Sequence, residues 1–139
     1  MSRTFNVNWN EDGSCTILGR VTARNGTGEA TGISGEGNWI KQADVSTIVR
    51  KVFDLDGTNF PTEESSTSIT VANVVIDVPV TSTAIWTEDT IGYNFLEDLA
   101  NTLFPESGRR IRIEYVVTLT GGAVFHGIYE GLVDPVYSS

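Results

Sequence analysis

The most pointed chemistry in this chain lies in Val52-Phe-Asp54-Leu-Asp56-Gly-Thr58, where two carboxylates stand one residue apart after an apolar run. Carboxylates in that arrangement can attack phosphorus, relay a proton or hold a hard cation. With Glu63 or Glu64 following closely, Asp54 and Asp56 form a candidate Ca2+ site. An EF-hand loop counted from Asp54 would need its bidentate Glu where Ser65 stands, so the pattern allows a structural Ca2+ and no regulated one. The plainer role of Asp54, Asp56 and Gly57 is to turn the chain at a strand end. Nucleophilic triads have less to build on. His126 and Cys15 are the only residues of their kinds, no Gly-x-Ser-x-Gly elbow occurs, and Cys15 falls on the apolar phase of its segment. A single Cys excludes an intrachain disulfide, and one Cys with one His excludes a Cys/His metal cluster.

The Val52–Thr58 motif resembles the first motif of the haloacid-dehalogenase-like phosphatases, an apolar strand followed by Asp-x-Asp-Gly-Thr. That resemblance implies Asp54 as nucleophile, Asp56 as general acid/base and Mg2+ between them. The family also requires a parallel sheet with crossover helices, a downstream Lys and a later acidic pair. No Lys follows Thr58, and Glu97-Asp98, which could imitate the acidic pair, lies in a stretch whose spacing suggests a helix. A phosphatase is therefore the remote alternative.

The elements around the motif read mainly as strands. Phe5, Val7 and Trp9 alternate with Thr4, Asn6 and Asn8, and Cys15, Ile17, Val21 and Ala23 lie beyond the Asn10–Gly13 turn. Period 2 on both sides of a turn predicts an N-terminal hairpin. Residues 24–38 are dense in Gly and poor in large apolar side chains, which predicts a surface loop. Its Gly-x-Gly steps lack the preceding strand, the following helix and the Lys of a phosphate cradle, and Asn25-Gly-Thr27 is read as a turn rather than a glycan acceptor. A helical turn is expected at 42–46, a strand at 47–54 and a polar loop at 57–67. Short strands follow at 69–71, 74–80 and 84–86, with Pro79 placing the second at a sheet edge. Leu96, Leu99, Ala100 and Leu103 predict a short helix over 96–103. Residues 110–119 and 123–133 alternate about Thr120-Gly-Gly122, the clearest hairpin in the chain.

The 139 residues suit one domain, 1–139, with no second unit and no internal repeat. No apolar run is long enough to span a membrane and the N-terminus has no signal-like apolar region, so no membrane partner is expected. A net charge of −9 opposes nucleic-acid binding, because phosphates must be met by Lys or Arg. The sole basic cluster, Arg109, Arg110 and Arg112, reads as a solvated strand start. Many short strands with regular turns predict an all-β antiparallel β-sandwich with one or two short helical turns.

Asp89-Thr-Ile-Gly-Tyr93-Asn-Phe95 resembles the Asp-x-x-x-Tyr-x-Cys corner of immunoglobulin-like domains, with Phe95 in place of the Cys. Over residues 39–133, Ile40-Lys-Gln-Ala-Asp-Val-Ser-Thr-Ile48, Ser68-Ile-Thr-Val-Ala-Asn-Val-Val-Ile-Asp77, Trp86-Thr-Glu-Asp89 and the final hairpin are similar to small structural proteins of tailed bacteriophages. These include the immunoglobulin-like modules of capsid decoration proteins and of upper-baseplate proteins. The resemblance implies a non-enzymatic virion protein made in the host cytoplasm, with no catalytic residues. Its expected partners are capsid or tail proteins, and it would act as a homo-oligomer or in many copies. Capsid decoration leads; a tail adaptor or carbohydrate-binding module is the alternative. Trp9 and Trp39 are the candidate docking anchors, with Trp86 as a third aromatic to test.

Overall fold

The computed structural model describes residues 3–7, 9–10, 13–23, 29–30, 38–56, 62–81, 92–104 and 107–135. The expected strand at 84–86, Trp86, Asp89 and the Asn25 turn lie outside these residues.

The described chain is an all-β sandwich. Its larger sheet runs β1 (Arg3–Asn6), β12 (Val124–Asp134), β11 (Arg110–Leu119), β7 (Val45–Asp54) and β8 (Thr62–Ile69), with β2 (Trp9–Asn10) continuing along β12. The smaller sheet runs β3 (Cys15–Gly19), β10 (Tyr93–Leu99) and β9 (Val75–Val80). A third patch, β4 (Thr22–Ala23), β6 (Asn38–Trp39) and β5 (Glu29–Ala30), gives the glycine-rich segment two short paired pieces that sequence reading as a loop does not anticipate. Helix is confined to single turns: 3-10 turns at Gln42–Asp44 and Asn101–Leu103, and α1 at Val71–Val74.

Alternation explains the core. On β11, Ile111, Ile113, Tyr115 and Val117 are buried while the residues between them are not. On β7, Ile48 and Val52 share that inner phase. Ile17, Phe95 and Leu99 from the smaller sheet pack against them, so the two inner faces close one apolar cluster. A row of rings crosses it: Phe5 stacks on Tyr129, Tyr129 meets Tyr115 edge-on, and Tyr115 meets Phe95 edge-on at 5.1 Å.

Four expectations are corrected. The N-terminal hairpin does not form: β1 and β2 pair parallel with β12, and β3 pairs with β10. Residues 96–99 are not helical, because β10 is paired residue by residue with β3, and alternate burial of Phe95, Glu97 and Leu99 outweighs the leucine spacing. Polar residues 62–67 form a strand rather than a loop, held as the outermost strand of the larger sheet by β7. The strand expected at 69–71 is the end of β8 followed by the α1 turn. The Tyr93 corner also shifts its meaning. Tyr93 lies on the central strand of the smaller sheet, whereas the immunoglobulin tyrosine belongs to the sheet opposite. By contrast, the turn at 42–44, the strand ending at Asp54, edge strand β9 with Pro79 and the last hairpin match the sequence reading.

Candidate functional site

Asp54 ends β7, buried at 3% exposure between β8 and β11, both antiparallel to it. One of its oxygens accepts the Asp56 backbone N–H at 3.0 Å, and the carboxylate pairs with the Arg109 guanidinium. Asp56 in turn accepts the Arg110 N–H at 2.7 Å, while the Leu55 N–H donates to the Arg110 carbonyl. The Asp-Leu-Asp turn is thus stapled onto the start of β11. Both carboxylates serve donors that fix the strand crossing, and the phosphatase arrangement at the carboxyl edge of a parallel sheet is not the one these residues adopt. Among the described residues no three His, Cys, Asp or Glu side chains converge on a point that could hold a metal. The side chains of Glu63 and Glu64 lie outside the described set.

The basic cluster is divided among acids. Arg110 and Arg112 both reach Glu130, and Arg112 also pairs with Glu114, a ladder across the outer face of the larger sheet. That agrees with a solvated strand start.

The strongest polar cluster is one the sequence reading missed. Glu97 on β10 projects between the sheets at 7% exposure. It accepts Arg50 at 2.8 Å through one oxygen and the Tyr115 hydroxyl at 2.5 Å through the other. Arg50 and Tyr115 are direct cross-strand neighbours on β7 and β11, so the larger sheet presents a cation and a hydroxyl together to the single carboxylate opposite. Burial, and then the bond to Glu97, push the Tyr115 hydroxyl well above its ordinary pKa. The Arg50 Nε is buried and has no partner, so the cluster is incompletely satisfied. The available signal was the inner phase itself: Arg50 lies between Ile48 and Val52, Tyr115 between Ile113 and Val117, and Glu97 between Phe95 and Leu99. Reading 96–103 as a helix hid it.

Asn94 was missed as well. At 1% exposure its side-chain oxygen accepts the Val21 N–H, and its amide nitrogen donates to the carbonyls of Val21 and Ile40. One side chain thereby ties β10 to the segments flanking the glycine-rich stretch.

The proposed docking anchors are inside. Trp9 is 2% exposed, stacks on Phe104 at 4.7 Å and donates its indole N–H to the Ile111 carbonyl. Trp39 is 7% exposed with the Arg20 guanidinium over its ring. Neither ring is available as a surface anchor in this fold; both are packing residues. His126 lies half-buried on β12 and Cys15 half-buried on β3. Burial, then the charge of Asp98, raises the Cys15 thiol pKa and so lowers the fraction present as the reactive thiolate.

A cleft of about 380 Å3 lies between the end of β8 and β10, lined by Ser68, Ile69, Thr70, Leu96, Glu97 and Asp98 with α1 at one end. None of the described helices is long and apolar enough to cross a membrane. No protein-family model matches the chain, and no curated protein matches it.

Proposed function

We propose that the chain is a non-enzymatic bacteriophage virion protein with an immunoglobulin-like sandwich, acting as a capsid decoration protein. The strand order supports the immunoglobulin-like part of this reading. Taken in chain sequence, β3-β10-β9 in one sheet facing β12-β11-β7-β8 in the other follows the B-E-D and G-F-C-C′ arrangement of variable-type immunoglobulin domains. The parallel N-terminal strand lies beside the last strand at the sheet margin. Commitment of Asp54 and Asp56 to internal bonds supports adhesion over turnover. A small acidic sandwich gains effect by repetition, so many copies on a symmetric shell suit it, each stabilising the assembled state by binding that state alone.

Co-sedimentation with assembled capsids tests this. The protein is expected to pellet with filled shells and to stay in solution with unassembled shell subunits or free tails. Hydrolysis of p-nitrophenyl phosphate with Mg2+, abolished by Asp54→Asn, together with no binding to shells, would overturn it.

A further inference from the structure

β10 has a strand neighbour along only part of its second edge. It pairs with β9 at Tyr93–Val80 and Phe95–Val75, and the residues that would extend the pairing, Val71–Val74, are wound into α1. Among the described residues, the stretch from Leu96 to Leu99 therefore has no strand beside it on that side. Among the described residues β8 ends the larger sheet and is paired through β7 alone. The end of β8 and the Leu96–Asp98 stretch of β10 border the cleft of about 380 Å3, with Ser68 and Thr70 on one side, Leu96 and Asp98 on the other, and Asn73 and Val74 of α1 closing one end. Unpaired strand edges present N–H and C=O groups that template an added strand.

Charge selects the occupant. Asp98 is exposed and accepts a hydrogen bond from Thr16 at 2.6 Å, with no cation beside it among the described residues. Glu97 also lines the cleft but is already paired with Arg50, so Asp98 is the unneutralised acid there, and among the described lining residues there is no Lys or Arg. A second copy of this chain would bring the same acidic edge and the same net charge of −9, so self-pairing is opposed. We propose that this slot accepts an extended basic segment of a partner protein as an added β-strand, main-chain bonds supplying affinity and Asp98 meeting a Lys or Arg. This holds whether or not the partner belongs to a virion.

The test uses the full chain and a dye-labelled peptide of about seven residues alternating Lys and Val, a typical strand length. Fluorescence anisotropy is expected to show saturable binding, with amides at 66–70 and 96–99 becoming protected from hydrogen exchange. Glu in place of Lys, or N-methylation of alternate peptide amides, should weaken binding by about tenfold or more. Asp98→Lys, on an exposed position, should weaken it by roughly three- to tenfold. Binding indifferent to N-methylation, protection confined to other strands, or no binding at all would overturn the proposal. So would dimers that protect 96–99 without peptide, since the occupant would then be a second copy.

Discussion

Glu97 stands where a carboxylate is expensive, and its two bonds hold the sheets in register more than they stabilise them. Removing one partner of a buried charged set strands the others, a loss of about 3–5 kcal/mol, whereas apolar replacement of the whole set is often neutral or better. Urea denaturation of Glu97→Ala should therefore show a loss in that range. The triple variant Arg50→Met, Glu97→Leu, Tyr115→Phe should recover most of it; a loss below about 1 kcal/mol for Glu97→Ala would mean that water already reaches the cluster. Alkali probes the same region. Tyr115 is buried and Tyr129 partly buried, and this burial raises both hydroxyls above their ordinary value of 10.0. Above pH 10 the unfolded tyrosines give up protons that the folded ones keep. The unfolded state then binds fewer protons, so stability complete below that pH falls above it, by at most about 1.4 kcal/mol per pH unit for each tyrosine. Urea midpoints measured between pH 8 and 11 in a Cys15→Ala background should show this decline, and Tyr129→Phe should make it shallower.

Elements with a clear alternating apolar pattern were legible, and those without one, or whose partner no local turn encodes, were not. Residues 110–133 announce a hairpin because two alternating runs flank Gly121-Gly122, and both strands and turn are found there. The strand carrying Asp54 was legible from its β-branched run, and so was the role of Asp54 and Asp56 as turn formers. β8 was not, since Thr, Glu and Ser carry no apolar phase; its strand character comes from β7 beside it. Nor was the parallel docking of β1 on β12, which no local turn encodes. Gly92 shows how tightly one junction is drawn. It has φ of +97°, and a Cβ there would run into the Val80 carbonyl where β9 and β10 meet. Gly122 has a similar φ of +95° but open space around it. Gly92→Ala should cost about 2–4 kcal/mol, combining left-handed strain with the clash, while Gly122→Ala should cost only about 1–2. Equal losses in urea titrations would show that the β9–β10 junction relaxes freely.

Across the whole molecule the first strand closes on the last, and that sets the order in which the fold can assemble. β1 and β2 lie along β12, and Trp9 completes its packing against Phe104 and the Ile111 carbonyl. Bringing those ends together costs loop entropy before any contact rewards it, so sandwiches of this kind refold in milliseconds to seconds rather than microseconds. The β11–β12 hairpin, with its short turn and its long flank on β7, is the piece that can form early. The arm bearing Trp9 has nothing to dock on until β11 and β12 are in place. Stopped-flow chevrons should then separate the two regions. Val117→Ala, on the inner face of β11 near the hairpin turn, should slow refolding. Trp9→Phe should leave the refolding rate nearly unchanged and speed unfolding, because its contacts form after the barrier. If Trp9→Phe slowed refolding as much as Val117→Ala for the same loss of stability, the N-terminal arm would belong to the nucleus, and the parallel pairing with β12 would have to precede closure of the sandwich.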